Sequence, residues 1–235
     1  MDRRPERLIE AAAGRYRDAG NAVRHFARWK YRLDPVYLAL LRRGRLPDRG
    51  RLLDLGCGDG LLLALILAAR DAYRAGAWPE GWPAPPMHLE LAGIEHEPGP
   101  AQSARAALGD QAAIEQADVR KTGFPGCSAV VLLDVLFYMR EGEQADVLDR
   151  AARALDPGGL LLLREADADA GLAFQLTRAG ERAREIGRGR WRNRLHYRGA
   201  NAWTGLLEAL GFTVDAEPMS AGTPFANVLF VCTKR

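Results

Sequence analysis

The sequence predicts an α/β fold, a mostly parallel sheet with helices on both faces, and three observations carry that prediction. The first is Arg51-Leu-Leu-Asp-Leu-Gly-Cys-Gly-Asp-Gly60, followed at once by the apolar run Leu61 to Ala69, which reads as a buried strand, a glycine turn and a helix. The second is Ser128-Ala-Val-Val-Leu-Leu-Asp-Val-Leu-Phe-Tyr-Met139, whose unbroken apolar stretch suits a central parallel strand buried on both faces. The third is the alternation of strand-like and helix-like patterns between and after these two segments.

Length and composition narrow the class. A chain of 235 residues can bury one sizeable core, so a single domain over 1–235 is expected. No run approaches the roughly 20 apolar residues of a membrane span, and the N-terminus lacks a charged-then-apolar signal pattern, which predicts a cytoplasmic protein. Cys57, Cys127 and Cys232 are odd in number and far apart, so reduced thiols are expected rather than a disulfide framework or a zinc site. A net charge of +3 does not by itself point to nucleic acid.

Residues 1–47 read as a helical cap. Leu8, Ile9, Ala12 and Ala13, then Val23, Phe26, Ala27 and Trp29, fall at spacings that give helices apolar faces. Pro35 can start a further helix, Val36 to Arg43, which Gly44 and Pro47 end. After the first strand and helix, Ala77-Trp-Pro-Glu-Gly-Trp-Pro-Ala-Pro-Pro86 is a loop by composition, and it carries the gap from Gly60 to Glu95 well beyond the roughly 20 residues usual in such units. A surface insertion, with Trp78 and Trp82 over the sheet edge, is the expectation. Strands should end at Glu95 and near Asp118, with a helix from Pro100 to Leu108 between them. A helix from Glu141 to Leu155 should stop at Asp156-Pro-Gly-Gly159, before a strand from Leu160 to Leu163. Trp203 to Leu210 reads as a helix, and Phe212 to Pro218 and Ala226 to Cys232 as closing strands.

The glycine turn points to a ligand at the strand's carboxyl end, because Gly56, Gly58 and Gly60 permit positive φ and remove blocking side chains. A dinucleotide would bring two phosphate charges against Asp54 and Asp59, whereas a ligand bearing an ammonium and a sulfonium would be favoured there. S-adenosylmethionine carries both cations. Leu53-Asp54-Leu55-Gly56-Cys57-Gly58-Asp59-Gly60 resembles the first motif of the class I S-adenosylmethionine-dependent methyltransferases, and the match continues downstream. The resemblance implies a Rossmann-like seven-stranded sheet with an antiparallel last strand, a cofactor-binding half over 48–165 and a lid and acceptor-side half over 166–235. It also implies that the glycine loop, with Asp54, Gly56, Cys57 and Gly58, holds the methionine end. Glu95, with His96 beside it, would bond the ribose, and Asp118, with Val119, would meet the adenine. S-adenosylhomocysteine would be the product. The Asp156-Pro-Gly-Gly159 turn is also similar to that of family members.

The acceptor side is more open. In open α/β sheets ligands sit outside the carboxyl ends of strands, which places Asp134, Phe137 and Tyr138 beside the transferable methyl. Asp134 is a candidate catalytic and cofactor-side residue with a structural role as its alternative, and Tyr138 is a candidate for catalysis and acceptor contact. Tyr16 and Tyr31 on the cap, and Thr223 and Phe225 in the turn between the closing strands, are further acceptor candidates, with His25 and Lys30 as other polar cap residues. No metal is expected, since no acid cluster accompanies Asp134.

Arg182, Arg184, Arg188, Arg190, Arg192, Arg194 and Arg198 make a basic segment that reads either as a solvated lid or as a docking face for an acidic carrier protein. A wider pattern including Arg15-Tyr16-Arg17, Asp34-Pro35-Val36 and Pro218 to Asn227 is similar to methyltransferases of bacterial aryl-polyene and xanthomonadin-like pigment pathways, implying an aryl or phenolic small-molecule acceptor, tethered or not to an acyl carrier protein. The alternatives are a nucleic-acid methyltransferase, which lacks a visible base-flipping motif, and a non-catalytic cofactor-binding module.

Overall fold

The computed structural model describes residues 2–187, 189, 191 and 193–235. Three helices precede the sheet: α1 (Arg4–Gly14), α2 (Asn21–Leu33) and α3 (Pro35–Arg42). Asp34 starts α3 by accepting the Val36 amide at 3.2 Å, with Pro35 supplying a φ already suited to the first turn. The chain then alternates through β1 (Arg49–Leu55), α4 (Leu61–Arg74), β2 (His88–Glu95), α5 (Pro98–Leu108), β3 (Ala113–Gln116) and β4 (Cys127–Leu133). It continues with α6 (Glu141–Ala154), β5 (Leu155–Ala166), α7 (Leu172–Gly187), α8 (Ala200–Ala209), β6 (Phe212–Pro218) and β7 (Asn227–Lys234).

The seven strands lie in the order β3-β2-β1-β4-β5-β7-β6. Pairings are parallel from β3 to β5, and β7 runs antiparallel to both β5 and β6. Strand alternation divides the core in two. Leu52, Ala129, Val131, Leu162 and Leu229 face the cap and α4, whereas Leu53, Val130, Leu132, Leu161 and Phe230 face α6 and α8. The order reverses between β1 and β4, so the crevice for ligands opens at their carboxyl ends.

One boundary and one loop depart most from expectation. β5 begins at Leu155, so the Asp156-Pro-Gly-Gly159 segment belongs to the strand, with a register shift opposite Cys127 and Ala129. The 77–86 insertion packs on the cap and α4: Trp78 meets Tyr73 and Trp82 edge-on, its backbone oxygen accepts from Arg4, and its indole donates to the Pro83 carbonyl at 3.0 Å. Buried Arg70 of α4 donates to the carbonyls of Pro86 and Leu89, so this loop is fixed at both ends.

Candidate functional site

The turn after β1 folds back on β2, with the amides of Gly56 and Cys57 both donating to the Ile94 carbonyl, at 2.8 and 3.1 Å. Gly56, at φ 73°, has no room for a side chain, since a Cβ would lie 2.7 Å from a methyl of Val135. At Gly58, φ 56°, a Cβ would meet nothing within 4 Å and would project into open space over the turn. That space is walled by acids. Glu95 is buried at the tip of β2, its carboxylate accepting the Gly58 amide at 2.9 Å and the Glu97 amide at 2.8 Å. Asp54 is buried beside it, and burial together with the charge of Glu95 pushes its carboxyl up to about 7. A cation entering this cleft would relieve both effects, so the residues present fit the ammonium and sulfonium of S-adenosylmethionine.

The remaining cofactor candidates fall around this cleft. The Cys57 thiol is buried in the turn, and burial pushes its ionisation up. His96 is exposed, with Nδ1 3.1 Å from Glu95. Asp118 lies just beyond β3 in a fork with Arg120, and those side-chain hydrogen bonds hold its carboxyl down at about 2. Val119 beside it is buried in the core.

Tyr16 and Tyr31 require a correction. Both are fully buried; the Tyr16 hydroxyl donates to the Asp59 carbonyl at 2.9 Å and the Tyr31 hydroxyl to the Leu61 carbonyl at 2.8 Å. They hold the glycine turn from beneath the cap and line no part of the cavity described next. An apolar helix face shows that a tyrosine is buried, not which carbonyl its hydroxyl will meet.

On the other side of β4 lies a cavity of about 410 Å³, bounded by α2, α7, the end of β4 and the β6–β7 turn. Its walls include Phe26, Trp29, Phe137 and Phe225, so it is mostly apolar with a few polar groups, as small-molecule pockets are. Thr223 and Phe225 line it. At the β4 end Phe137 forms the wall, while Tyr138, its ring tilted 39° to that of Phe137 with centroids 4.3 Å apart, stands outside it. The cavity adjoins the cofactor cleft through one turn, since Val135 fills the space beside Gly56 while Asp134 and Phe137 face the cavity.

Asp134 occupies the left-handed region at φ 61°, the one described non-glycine residue to do so. Its amide donates to the Arg164 carbonyl at 3.0 Å, and both its carboxylate oxygens accept from the Arg164 guanidinium, one from Nε at 3.0 Å. Arg164 is 1 % exposed and reaches Asp34 of the cap with its third nitrogen, while Lys30 sits 2.7 Å from Asp34 and 4.0 Å from Asp134. Burial opposes ionisation of Asp34, yet Arg164 and Lys30 hold its carboxyl well below the usual carboxylate range. Asp134 is therefore a structural link between cap and sheet, with its carboxylate taken up by Arg164.

Glu165, also buried, accepts the amides of Val135 and Leu136, and burial together with the charge of Asp134 pushes its carboxyl up to about 8. Gln144, fully buried, donates to the carbonyls of Leu136, Met139 and His196 and so fixes the same turn from α6. Sequence reasoning missed Asp34, Arg164, Glu165 and Gln144; the adjacent charges Arg164-Glu165 at the end of an apolar strand were the available signal. Of the basic segment, Arg182 donates to the Trp191 and Asn193 carbonyls and Arg198 to Gln144 and the Glu141 carbonyl, while Arg184 lines the cavity. Arg188, Arg190 and Arg192 lie outside the described residues.

This strand order, a glycine turn after β1 and an acid at the tip of β2 define the class I S-adenosylmethionine-dependent methyltransferase fold, whose cofactor is S-adenosylmethionine. The family model for methyltransferase domains matches residues 23–217, and the chain belongs to that family. A 27-O-demethylrifamycin SV methyltransferase of Amycolatopsis mediterranei (strain S699) is 30% identical over 153 residues, covering 62% of this chain and 50% of that protein. A carboxy-S-adenosyl-L-methionine synthase of Chromohalobacter salexigens is 28% identical over 133 residues, covering 54% of this chain and 44% of that protein. The chain spans about half the length of the curated relatives it matches. Among solved structures, magnesium protoporphyrin IX methyltransferase from Synechocystis PCC 6803 has a TM-score of 0.60 at 20% identity, covering 94% of each chain. An O-methyltransferase from neocarzinostatin biosynthesis, solved with S-adenosylmethionine and 2-hydroxy-5-methyl naphthoic acid, has a TM-score of 0.59 at 21% identity, covering 89% of this chain and 55% of that one.

Proposed function

We propose that the chain transfers a methyl group from S-adenosylmethionine to a small aryl or phenolic acceptor held in the cavity between α2 and α7. The observation that carries this reading is the shared turn at the end of β4, which touches the glycine turn through Val135 and walls the cavity with Phe137. Bound in the cleft, the cofactor supplies an electrophilic methyl on a sulfonium. Asp54, Glu95 and the glycine turn would hold it, and Asp118 and Val119 would border its adenine. The protein's remaining work is placement in a site shielded from water. Phe26, Trp29, Phe137 and Phe225 offer flat apolar surface for an aromatic ring. Lys30, beside the Asp34–Arg164–Asp134 chain, puts a cation at the cavity wall where an acceptor oxygen would lose its proton. Tyr138 stands behind Phe137 and would act by holding that wall.

Acceptors of secondary-metabolite or pigment chemistry fit this reading, supported by the similarity to the rifamycin methyltransferase and by the apolar cavity. A cytoplasmic setting fits as well: the three cysteines are buried and unbridged, and no described helix is long and apolar enough to cross a membrane. The nucleic-acid reading gains no support from Arg182 and Arg198, which are bound within the chain. The same contacts leave a carrier-protein docking face unsupported. The test is incubation with methyl-labelled S-adenosylmethionine and a panel of phenols and hydroxyaryl acids, read by mass spectrometry. A labelled product formed together with S-adenosylhomocysteine is expected; cofactor binding without transfer to any member would leave a non-catalytic module.

A further inference from the structure

The charges lining the cavity are not equally satisfied. Lys30, Asp34 and Asp134 are bound into the chain that Arg164 closes. Arg184 differs: it lines the cavity, its side chain is two-thirds buried, and its carboxylate partner, Glu181 one helical turn before it, is no nearer than 3.4 Å. That contact is too long for a strong charge-assisted hydrogen bond, which closes at about 2.7–2.9 Å. A second polar group on the same cavity is unpaired. The Tyr197 hydroxyl is buried with no hydrogen-bond partner, its ring stacked on Phe137 with centroids 5.2 Å apart and edge-on to Phe174. Arg184 and Tyr197 line the same cavity, and Glu181, which also lines it, bears on the electrostatics of both.

Two hydrogen-bond donors left underused on the walls of one cavity call for an acceptor from the ligand. Building on the methyl-transfer reading of the cavity, we propose that the methyl acceptor carries a small monoanionic group, the carboxylate of an aryl acid, and that Arg184 and the Tyr197 hydroxyl are the residues that select it. The planar guanidinium suits a carboxylate's two oxygens, and the aromatic ring would lie against the Phe137–Tyr197 stack. Glu181 and Asp134 nearby set an upper bound on charge, since a dianion such as a phosphate ester would be repelled. Glu181 also competes with the ligand for Arg184, so neutralising it strengthens binding of the acid.

The test is calorimetric binding, in the presence of S-adenosylhomocysteine, of a panel of mono- and bicyclic hydroxyaryl acids, each paired with its methyl ester and each ester identical in ring and hydroxyl. At least one acid should bind 10-fold or more tightly than its ester. Arg184→Met and Tyr197→Phe should each erase most of that preference, Glu181→Gln should increase it, and all three should leave S-adenosylhomocysteine affinity unchanged. Esters that bind as well as their acids, a preference that survives Arg184→Met, or a panel in which no acid binds would each overturn the assignment. Methyl transfer to neutral phenols with no preference for acids would sink the proposal while leaving the methyltransferase reading standing. Loss of S-adenosylhomocysteine binding by the unmodified protein would instead remove the reading on which the proposal rests.

Discussion

Replacing Arg164 with methionine removes the buried cation that bridges Asp34 of the cap and Asp134 at the end of β4. The side chain is 1 % exposed and serves two carboxylates, Asp34 and Asp134, whose side chains are themselves only 10 % and 18 % exposed. Deleting one partner of such a buried group leaves uncompensated charge and costs about 3–5 kcal/mol. Lys30, 2.7 Å from Asp34, still compensates one of the two acids, which places the expected loss near ~3 kcal/mol. For a domain of this size that corresponds to a fall in Tm of roughly 6–12 °C. Thermal and urea unfolding of the purified protein read the effect, and adding Asp134→Asn to the variant should recover part of it. The acid arm of the stability profile provides a second readout. The folded Asp34 carboxyl is depressed, so its contribution is present above the ordinary carboxylate range, about 3.9, and is lost as pH falls below it. Arg164→Met should flatten that arm. A fall in Tm below ~2 °C, or an unchanged acid arm, would refute the description of Arg164 as the clasp between cap and sheet.

Three further outcomes are expected. Glu165→Gln keeps an oxygen for the Val135 and Leu136 amides but cannot ionise; because the folded carboxyl is raised to about 8, its contribution to stability is fully present at acid pH and is lost as pH rises through that value, so the decline in pH-dependent urea unfolding should be shallower in the variant, with Asp54 supplying what remains. Tyr31→Phe loses one buried hydrogen bond to the Leu61 carbonyl and should cost about 0.5–1.5 kcal/mol by urea denaturation, with weaker cofactor binding because the glycine turn loses a support. Gly180 of α7 lines the cavity, and a Cβ there meets Phe225 at an ordinary 3.8 Å, so Gly180→Leu should fold, gain up to about 1 kcal/mol from helix propensity and fill acceptor space. Its acceptor KM should rise 10-fold or more while S-adenosylhomocysteine affinity holds, which steady-state kinetics and calorimetry would separate.

What was legible in the sequence was local. Three glycines and two acids around one turn point to a ligand cleft that favours a cation before any tertiary contact is known, and Glu95 is placed there by the motif order that the family resemblance implies. Thr223 and Phe225 entered the same way, through the closing antiparallel pair that the resemblance implies, and they line the cavity. Pairings across the chain were not legible. Arg164 meets Asp34 across 130 positions, and nothing in the apolar strand that carries it indicates which distant acids it serves. Tyr16 and Tyr31 were placed at the acceptor because a polar tip on an apolar helix reads equally well as a pocket residue or as a backbone anchor. Among the clustered arginines, composition could not distinguish Arg184, turned toward the cavity, from Arg182 and Arg198, spent on carbonyls and Gln144. The facing of α7, set by packing, makes that distinction.

The central claim, that the acidic glycine cleft is a site for a cationic adenosyl cofactor, is tested most directly by calorimetric titration of S-adenosylmethionine, with NAD titrated alongside, into the protein and its Glu95→Ala variant. The account predicts saturable S-adenosylmethionine binding at one site, weakened by about 1.5–3 kcal/mol in the variant through loss of charge-assisted hydrogen bonds, and no tight binding of NAD, whose phosphates would face Asp54 and Glu95. Equal S-adenosylmethionine affinity in a folded Glu95→Ala protein, or NAD bound as tightly as S-adenosylmethionine, would contradict it.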